Sequence, residues 1–132
     1  MTKSLVITGW ICRILVSLIL LQTLYFKFTA HPESVILFTK LGVEPWGRIA
    51  LGCIELLVGI GLLIPRLSLL ATFGAVGILS GAILTHVAII GIESNGDGGQ
   101  LFLMALVGFI AASVAFWLQW NHRKTFRQEK MN

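Results

Sequence analysis

Charge is scarce in this chain: Asp, Glu, Lys and Arg make up 12% of its 132 residues, about half the share of an ordinary soluble domain. Cysteine is limited to Cys12 and Cys53, with no CxxC pair, so neither a disulfide framework nor a thiolate zinc site is encoded. Both lie in apolar runs and are expected to differ in depth by about 10 Å, beyond the ~7 Å Cα reach of a disulfide. This argues against a thiol-relay enzyme. Flavin fingerprint, haem ligand pair, quinone motif and nucleophile–base spacing are all missing. The carboxylates are scattered, and Asn95 and Asp97 fall short of an EF-hand loop, so no metal site is expected. We find no internal repeat and no low-complexity segment.

Apolar residues fill that space. Hydrophobic residues account for 56% of the chain, and its 14 glycines bring the share to roughly two thirds; mean hydropathy is +0.88. A soluble domain of this size leaves about a third of its surface in water. It could not hide so much apolar area, which excludes a water-soluble enzyme, a nucleic-acid reader and a disordered tail. The net charge of +4 comes from basic residues at the ends of apolar runs, where a membrane surface explains them and a nucleic-acid partner does not.

Four such runs, about residues 5–27, 47–64, 67–91 and 100–120, each approach the ~20 residues that cross ~30 Å of hydrocarbon. Lipid offers the backbone no hydrogen bonds, so each run must be helical. Pro65-Arg66 separates the second from the third, and the polar turn Glu93–Gly99 separates the third from the fourth. The first run, with its basic start and the following Ala30, also has the outline of a signal peptide. It is longer than the ~7–15 residues of an apolar signal core, so we read it as a span. The fold class is therefore an all-α four-helix membrane bundle in one domain, 1–132.

Lys3, Arg66, Arg123, Lys124, Arg127 and Lys130 fall on the side of the termini, against Lys27, Lys40 and Arg48 on the other. The positive-inside rule then places both termini in the cytoplasm. Trp10, Trp117 and Trp120 would mark the inner interface, and Tyr25, Phe26, Phe28 and Trp46 the outer one. Between the first two spans, Pro32 can open a helix and Gly42 can end it, with Glu33 and Lys40 placed as the helix dipole prefers. A short amphipathic helix is predicted over residues 32–41, on or in the outer leaflet. The basic tail, 121–132, reads as a solvated anchor on anionic lipid.

Few residues are costly inside a membrane, and they are informative. Arg13, Glu55 and His86 lie within spans, joined by Gln22, and a mid-bilayer charge costs ~2.5–3.5 kcal/mol on insertion scales. Arg13, Ser17, Leu24 and Lys27 share one face of the first span, and Arg48, Gly52, Glu55 and Gly59 one face of the second. Gly74, Gly77, Gly81 and Ala82 in the third, and Ala105, Gly108, Ala112 and Ala115 in the fourth, suit close packing. Arg13 lies about 12 Å inside its span and can reach toward Glu55, so an Arg13–Glu55 ion pair is expected. Gln22, Lys27, Arg48, Glu55 and His86 are expected to line a polar cavity opening outward, with Glu44 at its border.

Taken in order, these landmarks resemble the DoxX family of small membrane proteins. The matching stretches are Arg13, Tyr25-Phe26-Lys27, Glu44-Pro45-Trp46-Gly47-Arg48, Glu55-Leu56 with Gly59, Ser80-Gly81-Ala82 with His86, and Asp97-Gly98-Gly99, across roughly residues 10–115. The resemblance implies a four-helix bundle in a bacterial inner membrane. It also implies association with redox systems, as an accessory subunit of a quinone-linked oxidoreductase or of an oxidative-stress complex with membrane or soluble partner proteins. A quinone or lipid is the cofactor class it suggests. It marks Arg13, Lys27, Glu55 and His86 as polar positions without giving them roles. With no catalytic constellation of its own, the chain is not expected to be an enzyme alone. Two alternatives stay open: a small dimeric transporter or proton conductor using Glu55, and a structural or assembly protein whose polar groups only set helix packing.

Overall fold

A computed structural model describes residues 2–132. Helix α1, Lys3–Gln22, starts where Thr2 accepts the Leu5 amide at 3.4 Å, satisfying one of the free N–H groups of the first turn. The ladder is interrupted at Thr23 and resumes as α2, Leu24–Phe28. Together they form one apolar span of 26 residues, Lys3–Phe28. Helix α3, Pro32–Lys40, lies where the sequence places it. His31 caps it by accepting from the Glu33 amide, Pro32 opens it, and Glu33 and Lys40 sit at the dipole-favoured ends.

Helix α4, Trp46–Leu63, stops just before Pro65, and α5, Ser68–Thr85, follows after a tight connection. Helix α5 continues as a π-helical turn, His86–Ile90, closed by the Gly91 amide donating to the His86 carbonyl at 2.7 Å. A loop with left-handed residues at Gly91, Asn95, Gly96, Gly98 and Gly99 leads into α6, Gln100–Met131. At 32 residues and ~1.5 Å each, α6 extends well past the bilayer thickness. The basic segment 121–131 continues this helix, because nothing between Trp120 and Met131 breaks the ladder.

Among the described residues, four helices are long and apolar enough to cross a membrane. Helix α1 packs on α4 and α6, and α5 packs on the same two, giving a square bundle in the order α1–α4–α5–α6. Arg13 meets Leu62 and Gly9 faces Leu118, so both termini lie at one end of the bundle, and α3 and the 91–99 loop lie at the far end. The core is Val16, Leu20, Leu62, Ala71, Ala75, Leu79, Ala111 and Ala112. Bulky apolar side chains such as Leu57, Leu70, Phe73, Leu84 and Ile110 point outward, the reverse of a soluble bundle and the arrangement that lipid requires.

Small residues decide where the helices close and where they part. In α4, Gly59 meets Leu21 of α1, and a Cβ built there would lie 2.6 Å from it. In the half nearer the termini, α4 and α5 touch tightly, Gly61 on Ala71 and Gly74 on Val58, each at 3.2 Å from such a Cβ. One and two turns further along α5, at Gly77 and Gly81, the same construction meets nothing within 4 Å. Helices α4 and α5 thus form a V, closed by their short connection and open at the far end.

Candidate functional site: a polar-headed cavity in the far half of the bundle

The open end of the V is a cavity of about 330 Å³, walled by α1, α4, α5 and α6 and roofed by α3. Its body is apolar: Ile19, Leu20, Leu51, Ile78, Leu79 and Met104 supply the walls, and Leu37, Phe38 and Leu41 the roof. Leu37 and Phe38 of α3 therefore face the bundle while Ile36 is exposed, which makes this helix the cover of the cavity.

Polar groups collect at one part of the wall. Lys27 Nζ lies 2.9 Å from Glu55 Oε2, with both side chains buried. The ammonium also donates to Thr23 Oγ1 at 3.0 Å, and the Thr23 hydroxyl lies 3.2 Å from Glu55 Oε2. Lys27 sits four residues after Thr23, one helical turn on, so the two share a face. Gly52 and Gly59 keep the Glu55 face of α4 slim enough for Phe28 and Leu21 to pack against it. A buried ion pair is tolerable only when its remaining valences are met, and Thr23 helps to meet them.

Arg48 braces this cluster from behind. Its Nε donates to both Glu44 oxygens at 2.9 and 3.0 Å, and its Nη1 donates to the Lys27 backbone carbonyl, near the end of α2. His86, on the π-helical turn, is 3% exposed and lines the cavity. Its Nδ1 lies 3.0 Å from the Gly91 carbonyl oxygen, and its ring packs on Phe102. A carbonyl can only accept, so Nδ1 carries the proton, and in the uncharged ring Nε2 is left as an acceptor.

A second, smaller cavity of about 220 Å³ adjoins the first at Thr23, Lys27, Leu37, Phe38, Leu101 and Met104. It is the more polar of the two, edged by Gln22, Glu33, Asn95, Asp97 and Gln100. Asn95 ties the 91–99 loop to α3 by donating to the Glu33 carbonyl at 3.3 Å. Burial alone would raise the Asp97 carboxyl. Amide bonds from Leu101, Gly99 and Ser94 outweigh it and hold the group below the ordinary carboxylate value.

Lys27, Glu55 and His86 are brought together around one cavity, and Arg48 supports them. Gln22 is not among them: it is exposed, lies 3.8 Å from Met104 Sδ and borders the smaller cavity. The expected Arg13–Glu55 pair does not form. Arg13 Nε donates to the Leu62 carbonyl at 2.8 Å, Ser17 donates to Gly59 one turn away, and Trp10 lies under the guanidinium at 3.9 Å. The first span is 26 residues against 18 for α4, so matching the two by their midpoints misjudges the register. Leu62 lies seven residues beyond Glu55, about 10 Å along α4, where carbonyls of the last turn lack intrahelical partners. Arg13 serves the one on Leu62. Sequence reasoning also missed Thr23, whose one-turn spacing from Lys27 was the available signal, and the π-helical turn, for which the sequence carries no evident mark. Cys12 and Cys53 are both free thiols. Among the described residues no three His, Cys, Asp or Glu side chains converge as a metal site would require.

Residues 11–116 match the sequence profile of the DoxX-like family. No curated protein and no solved structure matches the chain.

Proposed function

This chain belongs to the DoxX-like family of membrane proteins, and we propose that it holds a lipid quinone, or a lipid of that build, as an accessory subunit of a membrane redox or oxidative-stress system. The carrying observation is the cavity itself, apolar in body with Lys27, Thr23, Glu55 and His86 among its lining. A quinone has the same division: a polar ring that exchanges hydrogen bonds and an apolar tail. Binding pockets for such ligands are mostly apolar with a few placed polar groups. The gap beside Gly77 and Gly81 would take the tail, and the braced Lys27–Glu55 pair would meet the head.

On this reading both termini face the cytoplasm, the cavity lies in the outer half of a bacterial inner membrane, and electron transfer belongs to a membrane or soluble partner protein. The transport alternative needs Glu55 available for proton exchange; its engagement by Lys27 and Thr23 favours binding. The test is gentle purification followed by extraction and mass analysis. Quinone retained by the native chain and lost on Gly81→Leu, which fills the gap, supports the proposal. Repeated preparations holding phospholipid alone would overturn it.

A further inference from the structure

The cavity's hydrogen-bonding inventory is lopsided. Among the described residues, Arg13 Nη2 is the one fully enclosed side-chain polar atom with no partner. Glu55 Oε1 and His86 Nε2 carry no hydrogen bond either, since Glu55 is held through Oε2 and His86 through Nδ1. Both residues line the larger cavity. Thr85 lines it too, but its hydroxyl proton is committed to the Gly81 carbonyl at 2.7 Å, leaving only lone pairs. The Thr23 proton is shared between the Leu20 carbonyl and Glu55. Lys27 has three N–H bonds, of which Glu55 and Thr23 take two.

The cavity therefore offers at most one free donor, the third Lys27 N–H, against two free acceptors on buried side chains. A ligand with two carbonyl oxygens would leave both acceptors dry and unpaired, which is costly in a low-dielectric site. A ligand with two hydroxyls satisfies both, and one of its oxygens can still accept from Lys27. We propose that the cavity selects a dihydroxylated head group, so that, on the lipid-quinone reading on which this rests, it is the reduced hydroquinone that binds preferentially. The established pattern for such sites is that one built to pair a hydroxyl rejects the analogue lacking it more strongly than an apolar site distinguishes shapes.

The test uses three probes sharing one short alkyl tail: a benzohydroquinone, the corresponding benzoquinone, and the hydroquinone dimethyl ether. Each is titrated under argon into the full chain in nanodiscs, with empty nanodiscs as the blank, and binding is read calorimetrically. The hydroquinone is expected to bind about tenfold or more tightly than either of the others, the loss expected for unpaired acceptors. In Glu55→Gln, which keeps the side chain's shape and adds donors, the preference should narrow to about threefold or less. His86→Phe should narrow it similarly; Glu55→Gln carries the comparison if His86→Phe fails to fold. Quinone binding as tight as hydroquinone binding, or an ether as tight as the diol, overturns the selectivity and leaves the quinone-site reading standing. Failure of all three probes to exceed the blank overturns both.

Discussion

The two ends of the bundle handle buried charge differently. At the end near the termini, Arg13 is buried and met by a backbone carbonyl and the face of Trp10. At the far end, Lys27 and Glu55 are paired with each other and brought to the edge of a cavity. The first arrangement caps a helix and closes the structure. The second keeps polar groups buried at the edge of a cavity, which has a cost for stability. Charge inside a membrane is thus not one signal: Arg13 is packed, whereas Lys27 and Glu55 border the cavity proposed here to hold a ligand.

The largest expected effect comes from breaking one partner of the far-end pair. Lys27→Ala leaves Glu55 buried and unpaired and should cost about 3–5 kcal/mol, measured by unfolding in mixed micelles. Next is Arg13→Ala, which strips the Leu62 carbonyl and Trp10 of their partner. A loss of about 2–3 kcal/mol is expected, with affinity for a short-chain hydroquinone unchanged in the folded fraction. A fall in affinity without a loss of stability would reverse the assignments of the two ends.

Paired glycine substitutions sharpen the same contrast at smaller magnitude. Gly59→Ala puts a Cβ 2.6 Å from Leu21 and should destabilise by about 1–3 kcal/mol. Gly77→Ala meets open space and should be neutral or stabilising by up to about 1 kcal/mol. The smallest effect lies in the loop. Asp97 has its folded-state proton affinity lowered by three amide bonds, so its contribution is present above the ordinary value of 3.8 and is lost as pH falls through the lower folded value. Asp97→Asn should flatten that acid limb of the stability–pH curve, read by thermal unfolding across the acid range.

Much of the fold was legible because the bilayer enforces it. Run length, Pro65 and the polar turn at Glu93–Gly99 mark four spans, and Pro32, Glu33 and Lys40 mark the short helix. The inward faces carrying Arg13, Ser17, Leu24 and Lys27, and Arg48, Gly52, Glu55 and Gly59, follow from helical periodicity, and all of these residues are buried. Partner choice was not legible. It depends on how far each helix slides along its neighbour, and unequal span lengths moved Arg13 beside Leu62 and left Lys27 to meet Glu55. Nor did a stripe of small residues tell contact from void: Gly108 packs against Leu79 at 3.1 Å while Gly77 and Gly81 face a gap.

The proposed site requires the far-end pair to be present for a ligand and not for the fold. The double substitution Lys27→Met with Glu55→Leu removes both charges together and fills their volume with apolar atoms, a change that is often neutral or stabilising where a buried pair is structural ballast. In nanodiscs the double variant should unfold within about 1 kcal/mol of the native chain and should lose calorimetric binding of the short-chain hydroquinone. A variant equally stable that binds the hydroquinone as tightly as the native chain would contradict it.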